Sequence, residues 1–248
     1  MKPSKPPATR RRKRLPPFRF LDLPPELRLK IYELVLISPT TIDLDPSNCV
    51  TIAPRLRLFL VSHRVHDEAF RVFYGQNTFR LFPIHGRFYH TKKPLLVRLP
   101  AQYLAVVTTL ELRLGPGWNG PPRGWVVNDR LGLHNITKLR LLKIFVEFDP
   151  ASHEVFEGFR VGKEFYTDFC LKLARDVVKR VPTVEEFQFD GWNSVKRSAP
   201  LLMALVKEGR ELGRRVSWGD EAGWSDKVEL KAIDPEQSLE GLVAGLNL

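Results

Sequence analysis

The chain has 248 residues, enough for one large domain or two small ones, and 43% of them are apolar, which argues against a disordered or fibrous chain. Its formal charge of +11 is concentrated at the start: residues 1–17 hold seven of the 39 basic residues and no acid, so the remaining 32 basic against 28 acidic residues give the balance of an ordinary globular surface. No run approaches the roughly 18 apolar residues needed to span a bilayer, and two cysteines 121 positions apart, Cys49 and Cys170, supply neither a disulfide framework nor metal-ligand spacing.

Residues 1–17 are rich in proline and cation and have little to bury, so they are expected to be a disordered tail. Arg10, Arg11, Arg12, Lys13 and Arg14 form a block that reads as a nuclear-import signal or a nucleic-acid arm, and equally as a solubilising tail. A basic start leading into prolines predicts no secretory signal. With reduced thiols, the expected location is nuclear or cytoplasmic.

A helix is expected to start at Leu23-Pro24-Pro25-Glu26, because a proline is tolerated in the first turn and Glu26 complements the positive helix end. Leu27, Ile31, Leu34 and Val35 then share one apolar stripe, off which Arg28, Lys30 and Glu33 lie. Residues 40–54 read as two short strands, Ile42–Leu44 and Val50–Ile52, around the turn formers Asp45-Pro46-Ser47-Asn48. A second helix is expected from about Pro54 to Tyr74, with Leu58, Val61, Val65, Ala69 and Val72 as its seam and Gly75 as its stop. His63, His66 and Asp67 fall on its polar face, where a solvated or ion-paired cluster is a better reading than a metal site lacking a third ligand. Thr78 to Phe82 alternates and reads as a strand.

The second half repeats a phrase, a turn running into an alternating strand. Val107, Leu110, Leu112 and Leu114 carry it first; Leu141, Ile144, Val146 and Phe148 repeat it; Val184, Phe187 and Phe189 repeat its first three places; Val216 and Trp218 suggest an incomplete fourth copy. Helices are expected between copies. Phe165, Phe169, Leu173, Val177 and Val181 form a ladder stopped by Pro182, and a helix from about Pro200 to Leu212 has Ser198 as its candidate cap and Gly213 past its end. Strand–helix–strand units predict an α/β fold with a mostly parallel sheet, similar to an irregular leucine-rich repeat.

Catalytic and cofactor motifs are scarce. Gly115-Pro116-Gly117-Trp118-Asn119-Gly120 spells a dinucleotide fingerprint, but Pro121 and Pro122 follow where a helix must begin to hold the pyrophosphate, so no cofactor is predicted. The loop is better read as a display of Trp118 and Trp125, candidate anchors for a target protein, or as tryptophans packed on the sheet. Asp149, Asp190 and Asp220 follow predicted strands, where carboxylates line clefts in some enzymes and shape turns in most proteins. No nucleophile elbow or phosphate-binding loop is present, and no metal site is expected. Residues 85–98 (His85, Arg87, His90, Lys92, Lys93 and Arg98, with Phe88 and Tyr89) form a second basic patch, suited either to nucleic acid or to a plain surface loop.

Residues 18–82 resemble an F-box, in the variant common among fungal F-box-like proteins. The opening L-P-P-E-L-R-x-x-I-Y is spelled by Leu23 to Tyr32, and a V-[CS]-x-x-[IV]-x-x-E-A phrase by Val61 to Ala69, followed by Tyr74-Gly75-Gln76-Asn77-Thr78-Phe79. The chain departs from an ordinary F-box at Val65 and His63, which stand where that motif has tryptophan and a basic residue. The resemblance implies an organisation of basic tail (1–17), F-box-like module (18–82) and α/β recognition domain (83–248). It implies no enzyme but an adaptor, docking on the adaptor subunit of a cullin-type ubiquitin ligase through Leu23, Pro24, Leu27, Ile31, Val61 and Val65. The remainder of the chain would hold an unknown target. A nuclear nucleic-acid-associated protein is the alternative.

Overall fold

The structure, a computed structural model, describes residues 18–43, 46–84, 93–115, 119, 122, 124–152, 162 and 164–224. The 1–17 tail, Trp118 and most of the 85–98 patch lie outside the described residues. Among the described residues six α-helices, α1 (Pro25–Leu36), α2 (Pro46–Leu56), α3 (His63–Gln76), α4 (Ala101–Leu104), α5 (Phe165–Arg180) and α6 (Pro200–Glu211), accompany five strands, β1 (Thr78–Arg80), β2 (Thr109–Leu114), β3 (Leu141–Val146), β4 (Glu186–Gly191) and β5 (Arg215–Trp218). The strands form one sheet in the order β1-β2-β3-β4-β5, every pair parallel. The fold is α/β.

Each strand adds beside its predecessor, so every crossover steps the same way along the sheet. Parallel crossovers are right-handed, which puts the connecting segments on one face. Strand side chains alternate, and one set is wholly buried on that face: Phe79, then Leu110, Leu112 and Leu114, then Leu142, Ile144 and Val146, then Phe187 and Phe189. Residues of α3, α5 and α6 join the same core. Gly209 of α6 lies close beneath Phe187, where an added Cβ would meet the ring at 3.0 Å.

The repeated phrase is real, with one correction. The ladder sets Leu110 opposite Leu142 and Leu142 opposite Phe187, not Leu110 opposite Ile144, so β3 is slipped by two residues from the expected alignment. A slip of two keeps the same side chains inward, which is why the pattern in the sequence does not distinguish the alternatives. Val216 and Trp218 take the fourth place, opposite Phe187 and Phe189.

Three further expectations are corrected near the N-terminus. Val50–Ile52 is not a strand but lies inside α2, whose Ile52 is buried against the core, and Ile42 makes only a single bridge to Phe79. The helix expected over Pro54–Tyr74 is two helices, parted at a 3-10 turn (Arg57–Leu60) and at extended Ser62, whose hydroxyl accepts from the Val65 N–H at 3.2 Å. Gly75 is not a stop but part of α3, which runs on to Gln76. At the other end of the fold, α6 is not capped by Ser198; the Asp149 carboxylate accepts the Leu201 N–H at 2.8 Å across 52 positions. Gly213 does end α6, with φ +71°.

Candidate docking surfaces

The N-terminal helices are held by polar groups that the apolar pattern does not reveal. The buried face of α1 carries Arg28, Tyr32 and Leu36, one position round from the stripe marked by hydrophobicity. Arg28 is only 2% exposed. Its guanidinium donates Nε to Glu68 Oε2 at 2.8 Å and Nη2 to Glu68 Oε1 at 2.7 Å, and it also reaches the Leu23 carbonyl. Tyr32 donates its hydroxyl to the same carboxylate at 3.0 Å. The Arg28 hydrogen bond holds the Glu68 carboxyl down at about 2, and burial together with Glu68 pushes the Tyr32 hydroxyl up to about 12. Asn77 closes the other end. Its Nδ2 donates to the Leu36 and Phe73 carbonyls at 3.0 and 2.8 Å, and its Oδ1 accepts from the Ser38 N–H at 2.7 Å. One amide thereby terminates α1 and α3 together. The phrase residues Arg28, Tyr32, Glu68, Ala69, Asn77 and Phe79 are thus inward-facing locks.

With Arg28 and Tyr32 inward, the apolar stripe of α1 turns outward. Leu27 is 50% and Leu34 85% exposed; Val35 is exposed, Ile31 and Leu23 are half-buried, and Pro24 is exposed. Leu60 and Val61, in the break before α3, are exposed too. Val65, expected on this surface, is fully buried and packs α3 onto the core, because the helix begins afresh at Ser62 and rotates Val65 inward.

A second surface is the face of the sheet away from the helices. It forms the floor of a cleft of about 480 Å³, walled on one side by residues 38–41, with Arg80, Glu111, Arg113, Lys143, Gln188 and Asp190 on or beside the floor. Most of its charges are already matched. Arg80 bridges Asp43 at 2.8 Å and Glu111 at 2.9 Å, and Thr41 donates to Glu111. Arg113 donates Nε to Glu147 at 2.6 Å, and its guanidinium lies 4.4 Å from the Phe145 ring centre and 5.9 Å from that of Trp192. Trp192, directly after β4, is 49% exposed and has the character of a contact residue; the sequence reading missed it, although a tryptophan just past a strand end was a signal.

The remaining site expectations divide. Trp125 is not a displayed anchor: it is 2% exposed and stacked on Phe82 at 5.3 Å, pinning its loop to the fold. His66 is not on a solvated face, since its Nδ1 donates to the Phe59 carbonyl at 3.3 Å and its Nε2 shares a hydrogen bond with Tyr103 Oη at 3.0 Å amid aromatic rings. Asp149 and Asp190 are engaged by backbone. Asp149 takes the Ala151 and Leu201 N–H groups, and Asp190 takes those of Gly191, Glu221 and Ala222. Among the described residues no group of three or more His, Cys, Asp or Glu side chains is placed to hold a metal. Burial pushes the Cys170 thiol up, away from the reactive thiolate. Among the described residues no helix is long and apolar enough to cross a membrane. Compared with protein-family models, curated proteins and solved structures, the chain has no match.

Proposed function

We propose that the chain is a non-catalytic adaptor of the F-box-like kind. The outward stripe of α1, with Leu23, Pro24, Leu27, Ile31 and the nearby Val61, docks on the adaptor subunit of a cullin-type ubiquitin ligase. The α/β part holds a target protein near the ligase, and its contribution is effective concentration. The Arg10–Arg14 block directs the protein to the nucleus. One observation carries the reading: α1 buries a charged side chain, Arg28, and leaves Leu27 and Leu34 to water. Burying a leucine side chain contributes about 1.5–3 kcal/mol, so a helix that inverts this preference is better suited to an external partner than to its own core.

The test is co-purification of the full chain with the adaptor subunit, beside Leu27→Asp and Leu34→Asp variants. Capture of the wild type and loss in both variants, with unchanged melting, supports the proposal. No capture of the intact chain, under conditions that retain an authentic F-box protein, overturns it.

A further inference from the structure

We infer that a cavity between α2, α3 and β1 binds a small neutral aromatic molecule carrying one hydrogen-bond acceptor, which takes the Tyr74 hydroxyl proton. The inference goes beyond the adaptor reading and does not depend on it.

The cavity holds about 240 Å³, and its wall, apolar almost throughout, includes Ile52 and Leu56 of α2, Phe73 and Tyr74 of α3, Phe79 of β1, and Leu99. Ile52, Phe73, Tyr74 and Phe79 are buried, so core side chains bound the space, and it opens past Cys49 and Ala53, which are exposed. Neither the chain nor water fills such a space well. Protein interiors leave few voids larger than a water molecule, and a buried water takes two to four polar partners. Most polar groups of this wall are already engaged: Asp43 pairs with Arg80 at 2.8 Å, and Asn48 Nδ2 donates to the Thr41 carbonyl at 3.2 Å.

Tyr74 is the exception. It is 7% exposed, and its ring stacks on that of Tyr103 at 4.6 Å. Tyr103 Oη shares a hydrogen bond with His66, whereas among the described residues the Tyr74 hydroxyl makes none. Buried tyrosine hydroxyls ordinarily find a partner, and an unmet one costs free energy that an acceptor restores. Burial pushes this hydroxyl up to about 12, so it stays a neutral donor near pH 7. Size, wall and charge then define the occupant. An apolar cavity of about 150 Å³ accepts benzene, so this one takes roughly ten non-hydrogen atoms, a fused or substituted ring. The rings of Phe73, Tyr74 and Phe79 favour an aromatic guest through stacked or edge contacts. No lining residue is cationic and Asp43 is a carboxylate, which disfavours an anion.

The experiment is titration calorimetry of the full chain with three probes: 1-indanone, 2-indanone, and indane, which is the same bicycle without a carbonyl. At least one indanone should bind with one-to-one stoichiometry and sub-millimolar affinity. It should bind about five-fold more tightly than indane, as expected for one neutral buried hydrogen bond. Tyr74→Phe should remove that preference by weakening the indanone while leaving indane unchanged. Cys49→Trp, a large side chain set at the exposed mouth, should abolish binding of all three with unchanged melting. Saturable binding by neither indanone, a preference that survives Tyr74→Phe, or binding indifferent to Cys49→Trp overturns the inference.

Discussion

Replacing Asn77 with alanine removes one side chain that terminates two helices. The amide is 1% exposed and donates to the Leu36 and Phe73 carbonyls while accepting from Ser38. The Ser38 N–H lies near the surface and regains water, but the two carbonyls are left buried at helix ends. Stranding a buried polar group costs about 1–3 kcal/mol, so the two together predict a loss of about 2–6 kcal/mol. With a denaturant slope of about 3 kcal/mol/M, the urea midpoint falls by roughly 0.7–2 M. Asn77→Asp separates the cause from simple loss of volume. It keeps the acceptor for Ser38 but sets a carboxylate against two carbonyl oxygens. It should therefore be less stable than the alanine variant at neutral pH, despite being nearly isosteric with asparagine. Equilibrium urea unfolding of the three proteins decides the matter. An aspartate variant as stable as wild type, or an alanine variant within about 0.5 kcal/mol of it, refutes the reasoning.

Acid should release the α1–α3 lock. Glu68 is held at about 2 against an ordinary 4.5, so its contribution is fully present above pH 4.5 and lost as pH falls toward 2. The stability gap between wild type and Glu68→Gln, followed by thermal melts against pH, should be widest at neutrality and narrow through that window; a gap independent of pH excludes the carboxylate as its source. Gly219 abuts the Asp190 carboxylate, and a Cβ there would collide with its Oδ2 and Cγ. Gly219→Ala should cost about 1–3 kcal/mol through overpacking and speed amide exchange at Glu221 and Ala222, whose N–H groups Asp190 holds; unchanged exchange would show that the turn tolerates the methyl.

What could be read from the sequence follows from which forces are local. β2 to β5, α5 and α6 announce themselves because their buried residues recur at periods of 2 and 3.6, and the core simply collects them. α2 does not, since Pro46, Ser47 and Asn48 are turn formers and Val50, Thr51 and Ile52 favour strands; it is helical because that conformation seats Ile52 in the core beside α1. The capping of α6 by Asp149 joins residues 52 positions apart, a relation that no local pattern contains. The same holds for the cleft: Arg80, Asp43 and Glu111 become one ion-pair cluster only because the ladder sets Arg80 beside Glu111 and the chain returns Asp43 to Arg80 across 37 positions.

The orientation of α1 has the most consequence. The stripe expected to meet a partner, Leu27, Ile31 and Val35, stays wholly or partly outward, and the core takes Arg28, Tyr32 and Leu36. A buried guanidinium is tolerable only where its donors are met, and Glu68 with the Leu23 carbonyl meets them. That requirement joins Arg28 to Glu68 across 40 positions, and so joins the stretch Leu23–Tyr32 to the stretch Val61–Ala69. The buried polar residues therefore fix how α1 is held against α3, while the residues left outward decide what α1 can meet. A chain could keep every lock and lose the proposed docking by changing Leu27 and Leu34 alone, so the locks set the shape of the module and the outward stripe sets the surface on which the proposal rests.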